Sequence, residues 1–87
     1  MDIHIEVDSP ACPTTLRISI ADRVFFYRER HYRWTVDEVV PDWHDQRTLK
    51  QLDSGNASIG DGYIEGITRT LKACNFAFLL SEIESDG

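Results

Sequence analysis

Residues 3 to 8, IHIEVD, alternate strictly, with Ile3, Ile5 and Val7 on one side and His4, Glu6 and Asp8 on the other. Successive side chains of an extended chain point to opposite faces, so this period of two predicts a half-buried strand. The prolines of SPACPTT cannot continue a ladder and mark a loop. Alternation resumes over residues 15 to 20, TLRISI, where Leu16, Ile18 and Ile20 share one face and Arg17 and Ser19 the other. Pairing of these two strands sets Arg17 near Glu6.

Ala21 and Asp22 turn the chain into RVFFYRERHYRWTV. A register that pairs Tyr27 with Tyr32 across a tight turn over Arg28 to His31 also sets Phe25 opposite Trp34 and Val24 opposite Thr35. Phe25, Tyr27, Tyr32 and Trp34 then share one side as a cross-strand aromatic cluster, a contact that stabilises hairpins. Phe26, Arg28, His31 and Arg33 share the other. A slip of one residue undoes this sorting.

Residues 37 to 53, DEVVPDWHDQRTLKQLD, change character and contain a predicted helix that begins at Pro41. Pro41 suits the first helical position, Asp42 and Asp45 lie near the positive end of the helix dipole, and Trp43, Leu49 and Leu52 form a thin apolar stripe. Gly55 offers a C-terminal cap before the loop SGNAS. A second helix is predicted over 61 to 74, with Asp61 as cap, Ile64, Ile67, Leu71 and Cys74 at helical spacing, and Glu65 four residues before Arg69. Gly62 and Gly66 each weaken it by roughly 1 kcal/mol relative to alanine, and Asn75 ends it. FAFLLSEIE reads as a strand, apolar on both faces in its first half, which suits a sheet interior covered by a helix. The element order therefore predicts an α+β domain: a largely antiparallel sheet of about four to five strands with one or two helices packed on one face.

Composition refines this picture. The 87 residues suit one compact domain spanning 1–87. An apolar share of 41% and a charged share of 28% are those of a folded chain and exclude disorder. The net charge is −6, and all of it falls in residues 34–87, since acids and bases balance in residues 1–33. Such a field repels phosphate backbones and favours cationic partners. The longest apolar run, FAFLL, is far too short to span a bilayer, and no signal-peptide pattern opens the chain. With only Cys12 and Cys74 as thiols, the expectation is a reduced, cytoplasmic protein away from membranes.

Candidate chemistry is sparse. His4, His31 and His44 lack metal-type spacing and neither cysteine has a C-x-x-C neighbour, so no metal or cofactor is expected. Cys74 falls on an apolar stripe, and nothing near Cys12 in sequence lowers its pKa. SIGDG at 58 to 62 lacks the lysine and the glycine spacing of phosphate loops and reads as a capped helix start. Without a base and nucleophile pair, no enzyme activity is expected.

The acids carry the leading expectation. Asp37, Glu38, Asp42 and Asp45 cluster in sequence, Asp53, Asp61 and Glu65 follow, and Trp43 among them supplies an aromatic anchor rimmed by charge. Carboxylates on rigid elements pair with arginine clusters on a basic surface. The expected function is a small acidic inhibitor that occludes the nucleic-acid-binding surface of a basic protein or nucleoprotein complex. In size and charge it is like phage-type inhibitors of nucleic-acid-targeting defence complexes and toxin-immunity proteins. The alternative is a single-stranded nucleic-acid-binding module using the hairpin 23–36, with Phe26, Arg28, Arg30 and Arg33 as its face. Readers of that kind need rings and cations on one surface, and the hairpin separates most of its rings from its arginines. A third expectation is self-assembly, as a homodimer joined through an exposed edge strand.

Overall fold

The structure, a computed structural model, describes residues 2–10, 13–41, 47–58 and 60–81. Five strands follow one another as an antiparallel meander: β1 Ile3–Ser9, β2 Thr15–Ile20, β3 Arg23–Arg30, β4 Arg33–Pro41 and β5 Arg47–Asn56. Helix α1, Tyr63–Ala73, packs on one face of the sheet against β2, β3 and β4. The strand order β1-β2-β3-β4-β5 makes β3 central and leaves β1 and β5 as edges. This is the α+β architecture that the grouping of strands before helix predicts.

The first two strands pair as expected, with Ile3, Ile5 and Val7 opposite Ile20, Ile18 and Leu16, and Glu6 opposite Arg17. The β3–β4 register differs from expectation. Tyr27 lies opposite Val36 instead of Tyr32, and Phe25 opposite Glu38 instead of Trp34. His31 and Tyr32 make the turn, both left-handed with φ of 53° and 61°. A two-residue turn of this hand matches the twist of its strands, and it gives Val36 the fully buried place beside Tyr27. Because the partner shifts by an even number of positions, the faces survive: Phe25, Tyr27 and Trp34 stay together, and Phe26, Arg28 and Arg33 stay on the reverse. Only Tyr32 leaves the cluster, reaching 67% exposure at the turn.

Two expected elements are replaced. Residues 37–41 and 47–53 belong to β4 and β5, so no helix runs through them; Pro41 ends a strand instead of opening a helix. The β-branched run of Val36, Val39 and Val40 favours extension. A bulge places both Leu52 and Asp53 against Val36, which breaks the period of two that would have marked β5 as a strand. Residues 42–46, including Asp42, Trp43 and Asp45, lie outside the described residues. At the C-terminal end, the described part of the expected strand, residues 76–81, forms turns and a helical segment. Phe76, Leu79 and Leu80 pack on the core at i, i+3 and i+4, a helical spacing that also looks apolar on both faces when read as a strand. Asn75 does end α1. Its φ of 66° lets Phe76 N–H reach Leu71 C=O at 2.8 Å and its own N–H reach Lys72 C=O at 3.3 Å, a Schellman cap.

The core lies between the helix and one sheet face, built from Leu16, Ile18, Ile20, Phe25, Tyr27, Val36, Leu71, Cys74 and Leu79. Gly66, which weakens the helix by propensity, is where helix and sheet approach most closely: a methyl there would lie 2.7 Å from the Tyr27 ring. Gly55 plays the same part beneath the Trp34 indole, with a methyl meeting it at 2.6 Å. Gly66→Ala is therefore expected to destabilise the fold by about 1–3 kcal/mol through overpacking, against a propensity gain of about 1 kcal/mol. Urea denaturation of the purified variant measures the balance; a stabilised variant would show that propensity outweighs the contact.

Candidate functional site

The inward parity of β3 runs Phe25, Tyr27, Glu29, so the strand carries a carboxylate into the face that the helix covers. Glu29 is 8% exposed. A buried charge needs a partner, and α1 supplies Arg69. Tyr27 Oη donates to Glu29 Oε2 at 2.6 Å, Arg69 Nη1 donates to Tyr27 Oη at 2.9 Å, and Arg69 Nη2 donates to Asp61 Oδ2 at 2.9 Å. Glu29 and Glu65 each approach the guanidinium to 3.7 Å, and its carbon lies 5.3 Å from the Trp34 ring centre. Burial, reinforced by the Glu29 carboxylate, pushes the Tyr27 hydroxyl well above its ordinary range, so it keeps its proton at any physiological pH. The group serves as a clamp between helix and sheet, and among the described residues no buried polar side-chain atom is left without a partner.

A second clamp holds the opposite end of the sheet. Arg23 Nε and Nη2 both reach Glu38 at 2.8 Å, and the guanidinium stacks 4.9 Å from the Phe25 ring centre and 5.8 Å from that of Phe76. This bonding holds the Glu38 carboxyl below its usual range. Asp61 is held low by the Ser58 backbone N–H and then by Arg69. Asp61 was expected to cap the helix, but the N-cap is Gly62, without a side-chain bond.

The expected acidic surface is thus divided among several places. Glu38, Asp61 and Glu65 face internal arginines. Asp53 is exposed on the edge strand β5, where its Oδ1 accepts the Ser54 N–H at 2.8 Å. Asp37 lies opposite Phe26 on the uncovered sheet face. Cys74 is 4% exposed and its thiol is pushed up by burial, the small hydrophobe that the helical stripe predicts. Among the described residues no group of His, Cys, Asp and Glu could hold a metal ion, and no helix is long and apolar enough to cross a membrane.

The reverse face gathers the other candidates. Phe26 sits half-buried at its centre on β3, with the Arg17 guanidinium 5.9 Å from its ring centre and Arg17 itself paired to Glu6. Toward the β3–β4 turn follow Arg28, Arg30 and Arg33, all exposed and without an ion-pair partner among the described residues. Arg30 and Arg33 stand directly opposite one another. Beside them the exposed His31 and Tyr32 help line a concavity of about 230 Å³ with Pro13, Glu29, Ala57 and Ser58.

The reading of the sequence missed Arg69 as a hub and Glu29 as buried. The signal for Glu29 was present, because it occupies an inward position of the alternation that begins at Phe25. No family model, curated protein or solved structure compared with this chain matches it.

Arg69→Met is expected to cost about 3–5 kcal/mol, since it strands the buried Glu29, and adding Glu29→Gln to it should recover part of that loss; urea titrations of the single and double variants measure the coupling. The lowered carboxyls of Asp61 and Glu38 contribute stability that is fully present above their unfolded values and is lost as pH falls through the folded ones. Stability should therefore be flat near neutrality and decline from about pH 4 downward. Denaturation across acid pH should show a shallower decline for Glu38→Gln than for the parent chain.

Proposed function

We propose that this protein is a binding module without chemistry of its own, and that its working surface is the β3–β4 tip with the adjoining uncovered face, which captures an anionic macromolecule. The observation that carries this reading is the direct opposition of Arg30 and Arg33, with Arg28 two residues away on the same face and no carboxylate paired to any of them among the described residues. Like charges placed opposite each other across strands destabilise a sheet. The turn adds a second local cost, because left-handed backbone disfavours bulky residues and the sites adopted by His31 and Tyr32 are the ones where Asn-Gly is preferred. Two such costs at one exposed tip are accounted for by a ligand that neutralises the arginines and uses the ring side chains.

A second reading, the acidic occluder of a basic partner, draws on the net charge of −6 carried by residues 34–87. Within the described residues it would rest on Asp37 and Asp53, since Glu38, Asp61 and Glu65 have internal partners.

Thermal unfolding in inorganic polyphosphate, with ionic strength matched by sodium chloride, separates the two. A ligand that binds only the native state raises the midpoint by mass action. Polyphosphate should raise it for the parent chain and raise it much less for the Arg30→Gln/Arg33→Gln variant, which itself should start about 0.2–1 kcal/mol more stable. A flat response to polyphosphate together with stabilisation by polylysine would replace the first reading with the second.

A further inference from the structure

Val24, Phe26, Arg28 and Arg30 project from one side of the central strand, successive members separated by about 6.6–6.8 Å along it. They form a line from an apolar end to a cationic end. Phe26 stands between two concavities of this uncovered face. One, of about 360 Å³, is bounded by His4, Arg17, Val24 and Val39. The other, of about 210 Å³, is bounded by Asp8, Thr15, Arg28, Asp37 and Leu49. Leu49 is 53% exposed, so apolar surface flanks the ring on the side of the edge strand as well.

We infer that the anion captured by this surface is single-stranded nucleic acid, with bases stacked on Phe26 and Tyr32 and phosphates held by Arg28, Arg30 and Arg33. This rests on the anion-binding reading above and specifies its ligand. A central ring beside a guanidinium, open concavities on both sides and a run of cations are the elements of a stacking platform. Asp37, directly opposite Phe26, offers an acceptor to the exocyclic amine of a stacked base. A duplex fits less well. The tip is not a projecting ribbon, because Glu29 N–H bonds Thr14 C=O at 3.0 Å and Ala57 N–H bonds Tyr32 C=O at 2.7 Å, which embeds it between its neighbours. Stacking on Phe26 also requires a base already out of a helix. The acids Glu38, Asp61 and Glu65 are turned onto Arg23 and Arg69 on the helix side, whereas Asp8 and Asp37 border the concavity beside Arg28, so the cationic end of the line is the tip formed by Arg30 and Arg33.

Fluorescence anisotropy with a labelled dodecameric thymidine strand tests this. Phe26→Leu and Tyr32→Ala should each weaken binding about 5- to 100-fold, with retained polyphosphate binding by each variant as the control for an intact fold and intact arginines. Three phosphate contacts predict a slope of log affinity against log salt of about −2, falling to about −0.7 in the Arg30→Gln/Arg33→Gln variant. An abasic strand of equal length, which loses the stacking on both rings, should bind the parent chain more weakly than the thymidine strand binds Phe26→Leu. Equal binding of the thymidine and abasic strands, preference for a duplex, or equal binding of polyglutamate would overturn this inference while leaving anion capture standing. Absence of binding to any polyanion would remove both.

Discussion

The guanidinium of Arg69 is the interaction on which the arrangement of this protein depends. It reaches from the helix into the sheet, where Glu29 would otherwise be a buried and uncompensated charge, and it does so through the Tyr27 hydroxyl and alongside Asp61. A buried ion pair adds little net stability over apolar packing, but it penalises misplacement heavily, because any other position of the helix strands a charge. Gly66 makes the same demand by shape, since the Tyr27 ring fills the space that a side chain would need. Charge and shape thus converge on one tyrosine, and together they define how α1 lies over β2, β3 and β4.

That docking makes the sheet two-faced. The covered side holds Leu16, Ile18, Phe25 and Val36, and its polar groups are satisfied internally. The other side carries the half-buried Phe26 and a row of arginines that pair with no carboxylate among the described residues. Core packing and exposed cations therefore fall on opposite faces of the same strand, with odd positions of β3 facing the core and even positions facing the uncovered side. Glu38, Asp61 and Glu65 lie on the helix side beside Arg23 and Arg69, so a net charge of −6 coexists with a cationic tip.

Legibility varied with the cleanness of the local period. Strands β1 and β2 alternate without interruption, and their pairing, including Glu6 with Arg17, follows from the pattern. The hairpin faces were readable because parity survives an even shift, but the register was not, since it depends on how far β4 extends and on a turn formed by His31 and Tyr32 rather than by Asn-Gly. Strand β5 was unreadable because its bulge at Leu52 interrupts the alternation, and the segment beyond Asn75 because Phe76, Leu79 and Leu80 suit either period. Of the candidate surfaces, Phe26 with Arg28, Arg30 and Arg33 could be grouped from parity alone. The acids could be counted, but their engagement by Arg23 and Arg69 could not be seen.

By itself the sequence determined the class of the fold, the inward and outward sides of the first three strands, and the position and end of the helix, all of which follow from local periodicity and from backbone preferences at Asn75. Tertiary structure alone decided which charges remain available. Ion pairing between a strand and a helix depends on contacts across 40 residues of chain, as from Glu29 to Arg69, and these exist only once Gly66 has let the two layers close. The same closure pairs Glu38, Asp61 and Glu65 with arginines on the helix side, while Arg28, Arg30 and Arg33 stay exposed on the other side of the sheet, near Asp37 but not paired with it among the described residues.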